Sequence, residues 1–382
     1  MIDSRRRAAY TLAYTTARDG VNGDDRRSPG RTNVARLNVG VLGLSHDHVW
    51  PNLAALAAGD LGRLVAAADP DPGLRRRLAG LHGGVRVHDR YDALLEGGGL
   101  DAVLVFADNR ASVDLGVRAL GRGLPVMVEK PMAADLAGAE ALLAAARAAG
   151  QPLMVNWPTV WRPALRHGLD LAAAGAVGEP IQLSHRGANP GPREYGCSPQ
   201  FSAWLYDPAL NGGGALVDYC GYGAILCRVV LGRPEAVTAV AGRLRKPDLP
   251  AEDNAVVILR YPRALGLLEA SWTHVGGEPA LALVLHGDAG TLLVHQPKAA
   301  REGERAGPGR VQVATAEGSR FVEPPPLPPD ERDGPTHFLS RVRDGRPVVA
   351  LCAPGVGRDA QEVLAAALAS SAAGREVRLP AR

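Results

Sequence analysis

From Leu37 onward the chain alternates short apolar runs with helical patterns, and few folds satisfy that alternation. The run Leu37 to Leu42 leads into a turn, a predicted helix over Trp50 to Gly59, and a second run Arg63 to Ala68 that ends at Asp69. That is a βαβ unit. The pattern continues with a helix over Asp71 to Leu81, a short strand near Val85 to His88, a helix over Tyr91 to Glu96 and the run Ala102 to Phe106. A helix over Ser112 to Arg122, a strand Pro125 to Val128, a helix Leu136 to Ala149 and a strand Pro152 to Asn156 complete it. Strands apolar on both faces and separated by helices predict a parallel sheet covered on both sides.

After Asn156 the texture changes. Helical stretches are predicted at Pro163 to Ala174, after the glycines Gly212 to Gly214, and at Arg358 to Ala373. Between them alternating segments predict strands at Ile181 to Arg186, Ala236 to Gly242, Asn254 to Arg260, Leu265 to Thr273, Leu281 to Gly287 and Thr291 to His295. The segment Arg301 to Asp333, rich in proline, glycine and charge, is expected to be loop around one weak strand. The expected fold is therefore α/β: an N-terminal Rossmann parallel sheet over 37–156, and a C-terminal α+β domain over 157–382 with a large, mostly antiparallel open sheet.

Charge and cysteine content exclude several functions. The 382 residues carry a formal net charge of only +3, and much of the basic excess lies in the arginine clusters of residues 1–36, so no nucleic-acid partner is expected. That arm has no apolar stretch to serve as an export signal and is expected to be disordered; no run long enough to cross a membrane follows it. Cys197, Cys220, Cys227 and Cys352 have neither disulfide nor metal spacing, which fits reduced thiols in the cytoplasm, and no metal is expected.

The turn after the first run reads Gly43-Leu44-Ser45-His46-Asp47-His48, where a dinucleotide fingerprint has glycines at the first, third and sixth places. Ser45 is small enough for the pyrophosphate, whereas His48 departs from the pattern. Asp69, ending the second run, stands where a carboxylate accepts the adenosine ribose hydroxyls. An acid there repels a 2'-phosphate, so NAD is expected ahead of NADP. Asp69 as the mere start of the turn Asp-Pro-Asp-Pro is the alternative.

At Glu129-Lys130-Pro131, and in order at Val103 to Asn109, Asn156, Gly212-Gly213-Gly214-Ala-Leu-Val-Asp218, Glu252-Asp253-Asn254 and Ser271-Trp272-Thr273, the chain resembles the Gfo/Idh/MocA family of oxidoreductases. The resemblance implies that Lys130 faces both nicotinamide and substrate. It places Ala107, Asn109 and Glu129 with Gly43, Leu44, Ser45, His46, Asp69 and Lys130 around the cofactor. Asp218 and Tyr222, four residues apart on a predicted helix, share one face. In the family branch with tyrosine at this position the phenol exchanges the substrate's proton, so Lys130, Asp218 and Tyr222 are the expected catalytic set. A nearby Lys130 cation is expected to bring Tyr222 toward neutrality; burial of Tyr222 as plain core is the competing expectation.

Asn156, Trp157, Arg186 and Trp204, with Lys130 and Asp218, are expected to line the substrate pocket; Trp161 and Arg162 are further candidates, since aromatic faces and guanidinium forks suit sugars. Asp108 and Ser112 depart from the family pattern. The resemblance implies an NAD(P)-dependent oxidoreductase acting on a carbinol or carbonyl of a sugar, polyol or alicyclic alcohol. The alternatives are a redox-neutral, glycosidase-like use of bound NAD and a non-catalytic nucleotide sensor. A homo-oligomer, dimer or tetramer, built on the exposed sheet face, is implied as well.

Overall fold

The computed structural model describes residues 36–276, 281–297, 307 and 309–381. The expected arm over 1–36 lies, apart from Arg36, outside the described residues.

Six strands come first: β1 (Leu37–Leu42), β2 (Gly62–Ala68), β3 (Arg86–His88), β4 (Ala102–Val105), β5 (Val126–Glu129) and β6 (Leu153–Asn156). They form one sheet in the order β3-β2-β1-β4-β5-β6, with every adjacent pair parallel. Every residue of β4, β5 and β6 is buried, which is why those segments read as unbroken apolar runs. The strand order reverses between β1 and β4, opening a crevice at their carboxyl ends. The crossover helices start where short acids stop the strands. Asp71 accepts from the Gly73 and Leu74 N–H groups at the head of Pro72–Leu81. Asp108 accepts from Arg110 and Ala111 at the head of Asn109–Gly121, which explains an acid at that departure from the family pattern.

The remaining strands, β7 (Pro180–Ala188), β8 (Ala236–Gly242), β9 (Asn254–Arg260), β10 (Leu265–Ser271), β11 (Leu281–Gly287), β12 (Gly290–His295), β13 (Arg310–Thr315), β14 (Gly318–Val322) and β15 (Val377–Arg378), form a second sheet. Its order is β14-β13-β12-β11-β7-β10-β9-β8-β15. Only β7 and β10 pair in parallel; the other neighbours are antiparallel. The buried face carries Leu183, His185, Leu259 and Leu268 beneath the helix Ala215–Val230, whose Gly223 backs directly onto Leu268 and His185. Val240, Val256 and Ile258 are exposed on the opposite face.

Two expectations change. The segment expected to hold one weak strand forms the hairpin β13–β14, because Val311 and Val313 keep a period of two within polar surroundings. Residues 192–211 contain three short helices, Pro192–Tyr195, Pro199–Leu205 and Pro208–Asn211, each opened by a proline whose fixed φ suits a first helical turn. A further helix, Gly334–Asp344, returns to the first sheet, where its Leu339 fills the space beside Gly62. Among the described residues no helix is long and apolar enough to cross a membrane.

Candidate active site

The dinucleotide turn is fixed from two sides. Gly43 has φ +83°, and a Cβ there would lie 2.5 Å from the Ala107 nitrogen, so the ends of β1 and β4 meet in a way that requires glycine. Asp69 is buried, and its two carboxylate oxygens accept the N–H groups of Leu44 at 2.6 Å and Asp71 at 2.7 Å. Burial raises its pKa against those two donors. Asp69 thus holds the nucleotide turn to the end of β2. Arg75, the first arginine beyond it, donates through Nη1 to the carbonyls of Asp69 and Pro70 at 2.7 and 2.8 Å. The helix Val49–Ala58 starts at His48 with no side-chain cap, and its first N–H groups are taken up within the turn: His48 donates to His46 Nδ1, Val49 to the His46 carbonyl and Trp50 to that of Asp47. A glycine turn and an acid at the end of β2 fit a dinucleotide.

Several residues expected at the cofactor or substrate tie the structure together here. His46 is 1% exposed, with its ring 4.5 Å from that of Phe201 and 5.4 Å from that of Trp204. Burial first, then His48 and Lys130, hold its imidazole well below the usual histidine range, so it is neutral. The Trp204 indole donates to the Ser45 carbonyl at 3.3 Å, and Asp47 accepts the Ser198 N–H at 2.6 Å. The helix Pro199–Leu205 therefore straps the nucleotide turn, and Trp204 packs against that turn. Asn109 donates to the carbonyl and Oδ1 of Asn211, joining β4's end to the glycine triplet.

His48 Nδ1 lies 3.0 Å from Glu129 Oε2, Asn156 donates to Glu129 Oε1, and the Trp161 indole donates to Asn156 Oδ1 at 2.8 Å. Asn156 is consequently consumed in holding Glu129. The donor atoms of His46, His48 and Glu129 lie within 4.8 Å of one another, a proximity that sequence spacing could not show. Their lone pairs serve this network, since His46 Nδ1 accepts the His48 N–H at 3.2 Å and Glu129 faces His48.

Lys130, at the carboxyl end of β5, meets the helix Ala215–Val230 across the cleft. Its Nζ lies 2.6 Å from Asp218 Oδ1 and 5.1 Å from the centre of the Tyr222 ring. The Trp272 indole donates to Asp218 Oδ2 at 3.1 Å, so both carboxylate oxygens are engaged. The helix is set by Glu252, whose carboxylate accepts the Gly214 and Leu216 N–H groups at its first turn. Burial pulls the Lys130 ammonium down, but Asp218, Tyr222 and Glu129 outweigh it and hold the pKa above the usual lysine range.

Tyr222 departs from expectation. Burial pushes its phenol up to about 12 and prevails over the opposing Lys130, with Asp218 and Glu129 adding to the rise. The ammonium fails to bring the phenol toward neutrality because burial outweighs it and the Asp218 carboxylate opposes it as well. At neutral pH the site therefore presents a protonated phenol beside a charged ammonium: a proton donor and an electrostatic clamp for a developing alkoxide. The ring is packed like core, edge-on to Trp157 at 5.2 Å, with the Lys130 ammonium over its face. Trp157 thus forms the wall behind Tyr222.

Arg186 does not join the site. On β7 the residues Leu183, His185 and Gly187 face the helix, so Arg186 projects from the opposite side, 3.5 Å from Glu269 and 3.4 Å from His274. Its neighbour His185 was overlooked in the sequence: the imidazole lies nearly parallel to the Tyr222 ring at 6.2 Å. The period of two along β7 was the signal that assigns His185, and not Arg186, to the cleft.

The comparisons with known proteins agree with this geometry. Residues 37–157 match the oxidoreductase family model with an NAD-binding Rossmann fold, and residues 166–293 match the GFO/IDH/MocA C-terminal domain. The chain is 31% identical to a dTDP-3,4-didehydro-2,6-dideoxy-alpha-D-glucose 3-reductase of Streptomyces antibioticus over 81% of its own length and 87% of that protein's. It is 34% identical to an inositol 2-dehydrogenase of Streptomyces avermitilis, an alignment that spans 41% of this chain and 46% of the relative. Among solved structures, aldose-aldose oxidoreductase from Caulobacter crescentus, complexed with glycerol, shares the fold with a TM-score of 0.75 at 22% identity, covering 90% of this chain and 100% of that one. The chain belongs to the Gfo/Idh/MocA family of oxidoreductases, with an NAD-binding Rossmann domain at residues 37–157.

Proposed function

We propose that the protein is an NAD-dependent dehydrogenase or reductase acting on a secondary alcohol or carbonyl of a sugar or polyol. The observation that carries this reading is the buried triad of Lys130, Asp218 and Tyr222 at the carboxyl end of β5, beside the nucleotide turn. When bound, the nicotinamide supplies or accepts the hydride. Gly43, Leu44 and Asp69 would hold the dinucleotide, with Asp69 favouring a free ribose 2'-hydroxyl. Lys130 stabilises negative charge on the substrate oxygen, and Tyr222 gives that oxygen its proton in the direction of reduction. Asp218 keeps Lys130 charged and aimed. Trp157 and His185 box the Tyr222 ring and exclude water.

The chain divides, in this reading, into a cofactor domain over 37–156 and a second domain over 157–382. The exposed apolar face of the larger sheet, with Val240, Val256 and Ile258, suits a homo-oligomer. Four free cysteines suit the cytoplasm. The test is absorbance at 340 nm with NAD and a panel of polyols and aldoses, run beside the Lys130→Met variant. A Lys130-dependent change with at least one substrate is expected; no change with any of them refutes net redox chemistry.

A further inference from the structure

His48 stands where a dinucleotide fingerprint has its third glycine, and neither the hydride step nor the proton step uses it. It precedes the helix Val49–Ala58, with its ring 4.5 Å from that of His46 and 6.2 Å from that of Phe201. A glycine there has no side chain to make a contact. His48 instead reaches the end of β5, where its Nδ1 lies 3.0 Å from Glu129 Oε2. Glu129 is the residue before Lys130.

Three buried ionisable groups crowd that end of the cleft. Glu129, Lys130 and Asp218 are 4%, 5% and 6% exposed, so two carboxylates stand beside one ammonium. Lys130 Nζ takes Asp218 Oδ1 at 2.6 Å, whereas Glu129 Oε2 is turned to His48 and lies 3.3 Å from the Lys130 backbone nitrogen. Among the described residues, His48 is the one basic side chain within 4.0 Å of the Glu129 carboxylate. A buried carboxylate that loses such a partner recovers by taking up a proton or by taking a neighbouring cation. The neighbouring cation is Lys130, whose ammonium already feels the Glu129 charge. Capture of Nζ by Glu129 would draw it from Asp218 and from the Tyr222 ring, whose centre is 5.1 Å away.

We propose that His48 is a positioning residue for hydride transfer: its bond to Glu129 sorts the buried groups into two pairs and so keeps Lys130 on Asp218, beside Tyr222. The inference rests on the hydride-transfer reading and adds to it a residue of the nucleotide turn that acts through Glu129. Crystal structures of His48→Ala, His48→Asn and His48→Gln read the geometry without any substrate. Asparagine brings an amide N–H to the place of Nδ1, and glutamine brings one nearer that of Nε2. In His48→Ala, Lys130 Nζ is expected to leave Asp218 for Glu129; in His48→Asn it should stay on Asp218. Single-turnover hydride transfer should fall about 10²-fold in His48→Ala and His48→Gln, while NADH affinity and the substrate concentration for half-maximal transfer stay within about threefold. His48→Asn should recover most of the rate. Once Glu129→Gln has removed the carboxylate, adding His48→Ala should cost less than about twofold more. Lys130 still on Asp218 in His48→Ala overturns the inference, as does a His48→Asn enzyme no faster than His48→Ala, or a loss that Glu129→Gln leaves undiminished. Transfer and NADH affinity falling in equal measure would also overturn it, since His48 would then serve the nucleotide turn alone. If no substrate supports transfer in the wild type, the redox reading fails, and the crystal structures still decide the role of His48.

Discussion

Asp218→Asn removes one negative charge from the site and almost none of its volume. In the wild type Lys130 Nζ stands 2.6 Å from Asp218 Oδ1, a separation worth about 6 kcal/mol at an effective dielectric of about 20. Removing one partner of such a buried pair costs about 3–5 kcal/mol in practice. At about 1.4 kcal/mol per unit, that takes roughly 2–4 units off the Lys130 pKa. Burial is the largest influence on Lys130 and already acts downward. Without Asp218 the burial that pulls Lys130 down is opposed only by Tyr222 and Glu129, so its pKa falls from the wild-type level. Lys130 then loses its proton at a lower pH than in the wild type. The assay is kcat/KM for carbonyl reduction by NADH from neutral pH to as far on the alkaline side as the enzyme stays folded. The wild type should show no falling limb attributable to Lys130, because its pKa is held above the ordinary range. Asp218→Asn should gain a falling limb on the alkaline side that the wild type lacks there, and recover activity as the pH is lowered. An Asp218→Asn profile parallel to the wild type throughout refutes the role given to Asp218.

Three further outcomes are expected. In Tyr222→Phe, reduction at neutral pH should drop by about 10²–10⁴; in the wild type the oxidation rate should climb with pH toward the raised phenol pKa of about 12, and Tyr222→Phe should lose that climb. Gly43→Ala forces a Cβ into a φ of +83° against the Ala107 backbone; NADH affinity by fluorescence titration should fall at least about tenfold, with about 1–2 kcal/mol lost from stability. Asp69→Ala frees the Leu44 and Asp71 N–H groups, so NAD affinity should fall and its preference over NADP should shrink; an unchanged preference would mean that Asp69 serves the turn alone.

Much of the first sheet was legible because burial on both faces leaves a local mark: β4, β5 and β6 are apolar at nearly every residue. Lys130, Asp218 and Tyr222 were legible through motif resemblance and the four-residue helical spacing. The contacts that give them their chemistry were not, because they join residues far apart in the chain: Lys130 to Asp218 across 88 positions and His48 to Glu129 across 81. The strap over the nucleotide turn was hidden for another reason. Its helices are 4 to 7 residues long, too short for a helical period to show, and their prolines and glycines read as loop. Arg186 has the side-chain chemistry of a sugar ligand, but strand parity sets it with Ser184 and Ala188 on the outer face of β7. The rise in Tyr222 pKa depended on burial and on the pairing of Lys130 with Asp218, neither of which spacing reveals.

Single-turnover hydride transfer in Lys130→Met, with NADH affinity measured on the same preparation, tests the central claim most directly. The charge of Lys130 acts on the substrate oxygen, so transfer should fall by about 10³ or more while NADH affinity stays within about twofold of the wild type. Transfer that keeps most of its rate with NADH still bound would contradict the assignment of Lys130.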